Sequence, residues 1–134
     1  MAIDPGLRRV GLALSDEEGL FASPYKTLER TSDSSLIAEL AEQVRTHDVK
    51  EIVLGMPLRL NGSEGPEAKR ARMLKRELER ATGLKVALWD ERLTSVAAER
   101  ELRGVGLKGA RKKAILDQAA ATLLLQSYLD AQQR

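Results

Sequence analysis

The first fifteen residues constrain the fold more than any other segment of the chain. They place Asp4 at the end of a short apolar run, and the turn-forming pair Pro5-Gly6 follows at once. A second apolar run, Val10–Leu14, comes directly after this turn. Two apolar runs joined by a tight turn predict a β-hairpin that presents one carboxylate at a strand end. A carboxylate there either binds a divalent metal ion or contacts a phosphate group. The positions of the other acidic residues in the chain distinguish between these two roles.

The rest of the chain predicts an α/β fold with the element order β-β-β-α-β-α-β-α-α. The predicted strands are Ile3-Asp4, Val10–Leu14, Tyr25–Leu28, Glu51–Met56 and Val86–Trp89. The predicted helices span residues 34–47, Pro66 to the stop at Gly83, Thr94 or Ser95 through Leu102, and roughly 110–129. Strands joined by turns should be antiparallel, and strands separated by helices should be parallel. We therefore expect a mixed sheet flanked by helices.

Composition narrows the class of protein. A chain of 134 residues with 43% hydrophobic and 31% charged residues is typical of one globular domain, here residues 1–134. No apolar stretch approaches the roughly 20 residues of a membrane span, and no signal peptide is evident, so we expect a cytoplasmic protein without a membrane partner. The absence of cysteine excludes disulfides and thiolate metal sites, and the lone His47 argues against histidine catalysis.

Basic side chains are concentrated in two segments. Residues 57–85 carry eight Lys or Arg against four Glu, and residues 100–113 carry six against one. The first 50 residues are instead acidic, with six basic and nine acidic side chains. Local basic density of this kind suits a nucleic-acid backbone. For residues 67–80, a solvated helix face is the competing interpretation.

Four acids occupy places that a surface pattern does not explain. Asp4 ends the first strand, Asp90 and Glu91 end the last strand, and Asp117 lies among apolar residues of the final helix. Burial of an unpaired carboxylate costs several kcal/mol, so Asp117 needs a partner. A Mg²⁺ or Mn²⁺ ion shared with the strand-end acids would be one, since these ions prefer oxygen ligands. Two such ions about 4 Å apart can drive phosphodiester hydrolysis without a His, Cys or Ser nucleophile.

Each acid also has a structural interpretation. Asp4 could be a turn aspartate before Pro-Gly, and Asp90 or Glu91 could pair with Arg92 or cap the following helix. Asp117 could lie at the exposed edge of its helix beside Lys113. The choice between Asp90 and Glu91 as ligand stays open, because one residue along a strand end changes the face to which a side chain points.

Four ordered motifs resemble the YqgF family, also called RuvX, whose members are Holliday junction resolvase-like proteins. The motifs are Asp4-x-Gly-x-x-Arg9-x-Gly11-x-Ala-x-Ser-Asp16, Gly55-Met56-Pro57-Leu58 with Asn61-Gly62, Asp90-Glu91-Arg92-Leu93-Thr94-Ser95 with Ala98-Glu99, and Asp117-x-Ala-Ala120 with Leu123-Leu124-Leu125-Gln126. Each motif alone is weak, but together they cover nearly the whole chain.

The resemblance implies an RNase H-like fold, in which an antiparallel three-strand meander is continued by two parallel strands in a five-stranded sheet. It also implies metal-dependent nuclease activity on Holliday junctions or on the 5′ end of precursor 16S rRNA. The metal-binding catalytic acids would be Asp4, Asp90 and Asp117, with Glu91 as neighbour or substitute and Arg9 as support or phosphate contact. Basic side chains at 69–76 and 108–113 would position the nucleic acid: Arg70, Lys108, Arg111, Lys112 and Lys113.

Two other functions compete with a nuclease. An actin-like or sugar-kinase-like phosphotransferase also begins with an Asp-x-Gly hairpin, but it needs two such domains, and this chain has no Walker-type phosphate loop. A non-enzymatic module that binds nucleic acid or ribosomes could retain the same fold. The sequence decides neither between a DNA junction and precursor rRNA nor between a monomer and a homodimer, to which the Leu and Val residues of 102–107 could contribute.

Overall fold

The computed structural model describes residues 1–93 and 109–133. The predicted short helix that begins at Thr94 or Ser95 and the apolar residues of 102–107 lie outside these ranges. The described residues contain five strands: β1 (Ala2–Pro5), β2 (Arg9–Ser15), β3 (Ala22–Glu29), β4 (Ile52–Met56) and β5 (Val86–Asp90). They also contain three α-helices: α1 (Asp33–Thr46), α2 (Pro66–Thr82) and α3 (Ala110–Gln132). A 3₁₀ turn, Glu91–Leu93, follows β5 directly.

The strands form a five-stranded mixed sheet with the order β3-β2-β1-β4-β5. The pairs β1–β2 and β2–β3 are antiparallel, whereas β1–β4 and β4–β5 are parallel. This arrangement confirms the predicted meander continued by parallel strands. The short strand β1 consequently lies at the centre of the sheet, and Asp4 lies near its carboxyl end.

The helix boundaries follow from local signals in the sequence. Ser32 caps α1, since its Oγ accepts a hydrogen bond from the Ser35 backbone N–H at 3.2 Å. Pro66 occupies the first turn of α2, where its missing N–H costs nothing, and Gly83 ends that helix. Within the described residues, we find no helix with the length and apolar character that a membrane crossing needs.

The helices cover the sheet from both sides and create two cores. Helices α1 and α2 pack on one face, which presents Ile3, Leu12 and Leu54. Helix α3 packs on the other face, where small residues of the sheet meet small residues of the helix. The buried members of this second core are Ala2, Ala13, Val53, Ala120, Ala121, Leu124 and Leu125. Because so many of them are alanine, the axis of α3 can lie close to the sheet.

Candidate active site

Three carboxylates are buried in the described part of the chain. Asp4 is 3% exposed, Glu91 is 4% exposed and Asp117 is 6% exposed, and no other polar or charged residue of residues 1–93 and 109–133 is buried to this degree. Burying a carboxylate is costly unless specific contacts compensate for it. All three residues belong to the acids that the sequence analysis singled out.

Strand alternation places Asp4 under α3. Ile3 faces the core of α1 and α2, whereas Ala2 faces the core of α3. Since successive side chains of a strand point to opposite faces, Asp4 shares the α3 face with Ala2. On the neighbouring strand, its register partner is Gly11.

Gly11 allows α3 to come close to Asp4. A Cβ atom at this position would lie 2.0 Å from the backbone carbonyl oxygen of Asp117, which no real side chain could tolerate. The backbone of α3 therefore rests directly on β2, beside the strand position opposite Asp4. The glycine of the opening motif thus serves helix packing, and through it brings Asp117 beside the first strand.

Arg9 holds the side chain of Asp117. Its Nε donates a hydrogen bond to Asp117 Oδ2 at 2.7 Å, and the Arg9 side chain is only 30% exposed. Arg9 was predicted to support the site or to contact phosphate, and in the structure its guanidinium orients a carboxylate. Sequence reasoning missed this pairing, because the two residues lie 108 positions apart.

Glu91 reaches the same face of the sheet from the end of β5. A Cβ atom at Gly55 would lie 2.6 Å from Glu91 Oε1 and 3.2 Å from Leu124 Cδ2 of α3. The Glu91 carboxylate therefore lies over the backbone of β4, next to α3. Together with Asp4 and Asp117, it forms a group of buried acids between the sheet and α3, which we call the acidic face.

Asp90 points elsewhere. Leu88 packs against the α1–α2 core, whereas Trp89 packs against the α3 core. Because side chains alternate along a strand, Asp90 points to the same face of the sheet as Leu88. Its carboxylate accepts hydrogen bonds from Arg92 Nη2 at 2.7 Å, from Arg92 Nε at 3.1 Å and from the Arg92 backbone N–H at 2.9 Å. These contacts with Arg92 hold the pKa of Asp90 below its usual range. Between the two residues, the geometry favours Glu91 as the partner of Asp4 and Asp117.

The acidic face supplies donors of the kind that Mg²⁺ or Mn²⁺ prefers. All three side chains offer carboxylate oxygens, and Gly11 and Gly55 let the Asp117 backbone and the Glu91 carboxylate approach the sheet closely. Within residues 1–93 and 109–133, no three His, Cys, Asp or Glu side chains lie close enough to enclose one ion in this arrangement. Binding of one ion by all three carboxylates would therefore require movement of their side chains.

The predicted basic contacts lie on both sides of the sheet. Arg70 is exposed near the start of α2, where it lines a crevice of about 30 Å³ together with Gly6 and Leu7 of the β1–β2 turn. Lys112 is exposed and Lys113 is half-buried in the first turn of α3. Lys108 and the side chain of Arg111 lie outside the part of the chain that the structure describes.

Comparison with known proteins identifies relatives along the whole chain. The family model described as "RuvX: Holliday junction resolvase" matches residues 1–131. A protein of Myxococcus xanthus named "Putative pre-16S rRNA nuclease" is 43% identical over 131 residues, which are 98% of this chain and 87% of the relative. A protein of Maridesulfovibrio salexigens with the same name is 42% identical over 129 residues, which are 96% of each chain.

Solved structures show the same fold at low sequence identity. The chain matches "T. thermophilus RuvC in complex with Holliday junction substrate" with a TM-score of 0.61 and 18% identity, covering 98% of this chain and 92% of the other. A second Thermus thermophilus RuvC structure gives a TM-score of 0.58 at 14% identity, with 98% and 93% covered. These matches support the RNase H-like architecture predicted from the motifs.

Proposed function

Since this chain belongs to the RuvX family and is a nuclease, we propose that it hydrolyses phosphodiester bonds of structured nucleic acid with divalent metal ions bound by Asp4, Glu91 and Asp117. The observation that carries this proposal is the burial of these three carboxylates on one face of the sheet, against one helix. Asp90, which the sequence placed among the ligands, lies on the opposite face and is not part of the proposed set.

Each residue of the acidic face has a different role in the proposed reaction. When bound, Mg²⁺ or Mn²⁺ would activate a water molecule and stabilise the leaving oxygen. Asp4 is held on the central strand, so its position is fixed by neighbours on both sides. Asp117 is oriented by Arg9, and the remaining N–H groups of that guanidinium could contact a phosphate oxygen of the substrate. Glu91 would contribute its carboxylate from the end of β5.

Precursor 16S rRNA is the substrate that we propose first. The relatives that carry this name share more than 40% identity and nearly the whole chain, whereas the RuvC structures share less than 20% identity. The basic side chains Arg70, Lys112 and Lys113 would contact the phosphate backbone on the two sides of the acidic face. A Holliday junction is the second candidate, which the description of the family favours.

The decisive experiment measures cleavage of two matched substrates, a precursor 16S rRNA 5′ segment and a four-way DNA junction, with Mg²⁺ or Mn²⁺. We expect the wild-type protein to cleave the RNA, and Asp4→Asn to abolish cleavage while retaining nucleic-acid affinity. Asp48→Asn is the matched control, because Asp48 is an exposed acid in the α1–β4 loop. Wild-type protein that binds both substrates and cleaves neither would support the alternative, a binding module that retains the fold.

A further inference from the structure

The loop between β4 and α2 forms a compact hairpin, residues 58–64, which we call the tip loop. Leu58 and Glu64 form an antiparallel bridge at its base. The Gly62 N–H donates to the Arg59 carbonyl oxygen at 2.8 Å, and the Arg59 N–H donates to the Ser63 carbonyl oxygen at 3.0 Å. These bonds close a β-turn whose central residues are Leu60 and Asn61. The tip loop therefore has a defined shape.

Leu60 stands at the tip of this turn and is almost fully exposed. Its exposed fraction is 93%, against 68% for Phe21 and 67% for Leu7, the next most exposed large hydrophobic residues that the structure describes. A lone exposed leucine is ordinary on a protein surface. Leu60 is different because an ordered turn presents it and because that turn is hydrogen-bonded to Arg92, the residue that follows Glu91.

Arg92 makes this connection. Its guanidinium binds Asp90 at the end of β5, and its Nη1 donates to the Leu60 carbonyl oxygen at 3.3 Å. Gly62 has a φ of +87°, a backbone conformation that favours glycine and permits this turn. Glu91 lies between Asp90 and Arg92 in the chain. Leu60 is consequently connected through Arg92 to the segment that carries Glu91.

The surroundings of Leu60 are basic. Arg59 precedes it and is exposed, and Arg92, whose guanidinium is paired with Asp90, donates to its carbonyl oxygen. An apolar side chain flanked by guanidinium groups suits a nucleic acid better than a protein partner, because phosphates can meet the arginines while a base face meets the leucine. Aliphatic side chains on DNA-binding proteins insert between bases in this manner and unstack them.

We propose that Leu60 packs against an unstacked base beside the scissile phosphate, and that Asp90 and Arg92 are positioning residues that hold the tip loop in place. This inference rests on the proposed nuclease function and specifies its substrate class. A continuous duplex keeps its bases stacked and offers Leu60 no apolar surface. The enzyme should therefore favour nucleic acid that has an unpaired base or a strand boundary at the cleavage site.

The test measures base unstacking apart from cleavage. The probe is an RNA stem with a single-stranded 5′ extension and 2-aminopurine at the boundary, whose fluorescence rises when that base leaves the stack. In the Asp4→Asn background, we expect binding to raise this signal. Additional Leu60→Ala should remove most of the rise and weaken binding to this probe about ten-fold relative to a continuous duplex. Leu60→Met should retain both effects.

Controls separate the tip loop from general surface effects. Phe21→Ala removes another exposed apolar side chain, on the β2–β3 connection, and should change nothing. Arg92→Ala should reduce the fluorescence rise, because the loop loses its anchor while Leu60 remains. If Leu60→Ala unstacks the base as well as the parent protein does, the inference is wrong. Failure of the proposed function would instead appear as absent cleavage by wild-type protein, which this binding signal does not require.

Discussion

At the scale of single residues, Gly11 has the tightest steric surroundings of the glycines that the structure describes. We predict that Gly11→Ala moves α3 away from β2, because the new Cβ would overlap the Asp117 carbonyl oxygen at 2.0 Å. Overpacking of this kind costs about 1–3 kcal/mol, and displacement of Asp117 should also abolish cleavage. Urea unfolding and a cleavage assay measure the two effects.

Gly19→Ala is the control for this substitution. Gly19 has a φ of +71°, so alanine is strained there, but nothing lies within 4 Å of the new Cβ. We expect about 1–2 kcal/mol of destabilisation from the backbone and normal cleavage by the folded protein. Equal loss of cleavage in both variants would show that the contact of Gly11 with α3 is not what places Asp117.

Glu91 and Asp90 are neighbours whose side chains point to opposite faces of the sheet, so substitutions at the two positions should affect metal affinity differently. We predict that Glu91→Gln weakens Mn²⁺ binding at least about ten-fold, since it removes a charged ligand from the acidic face. Asp90→Asn should leave Mn²⁺ affinity unchanged, because its carboxylate binds Arg92 on the other side. Calorimetric titration measures both affinities, and the reverse ranking would restore Asp90 as the ligand.

At the scale of secondary-structure elements, Glu79 connects α2 to β5. Its Oε2 accepts a hydrogen bond from the Val86 backbone N–H at 3.1 Å, and this bond holds the pKa of Glu79 below its usual range. A carboxyl whose pKa is lower in the folded state stabilises the protein above its unfolded pKa. That contribution is lost as the pH falls through the folded value.

We therefore predict that Glu79→Gln lowers the free energy of unfolding at pH 7, and that its difference from wild type shrinks below about pH 4. Urea unfolding between pH 7 and pH 3 measures this difference. Glu39→Gln, an exposed substitution on α1, is the control and should behave as wild type throughout. A difference that persists unchanged at pH 3 would mean that ionisation of Glu79 is not its source.

The sequence predicted the five strands and the three described helices because their signals are local. Apolar runs, the Ser32 cap, Pro66 and Gly83 each act within a few residues of their position. The edge strand β3 was predicted as Tyr25–Leu28 but extends from Ala22 to Glu29. An edge strand exposes most of its side chains, so its ends lack the apolar alternation by which a strand is recognised.

The site was predictable only in part, for a related reason. Asp4 and Asp117 were identifiable from their apolar surroundings. The proposal that Glu91 rather than Asp90 is the metal ligand depends on the turn that begins at Glu91, where strand alternation stops. The contact between Arg9 and Asp117 depends on how α3 lies across β2, which no local pattern records.

At the scale of the whole molecule, the described basic side chains of the predicted interface lie on both sides of the sheet, Arg70 on α2 and Lys112 and Lys113 at the start of α3. We predict that replacing Lys112 and Lys113 together by Ala lowers the slope of log affinity against log salt by roughly 1.5, the expectation for two lost phosphate contacts. Lys50→Ala is the control, because Lys50 lies in the α1–β4 loop. Filter binding over a salt series measures the slopes. An unchanged slope would remove the start of α3 from the nucleic-acid interface.

The packing of α3 on β2 also determines when, during synthesis of the chain, the acidic face is complete. Asp4 belongs to β1, Glu91 follows β5, and Asp117 arrives with α3, after both of them in the order of synthesis. A chain that leaves the ribosome amino terminus first therefore presents two of its acids before the third exists. The proposed ligand set of Asp4, Glu91 and Asp117 is complete only when α3 docks. If the proposed ligand set is right, we expect a nascent chain that still lacks α3 to be unable to cut the RNA around it.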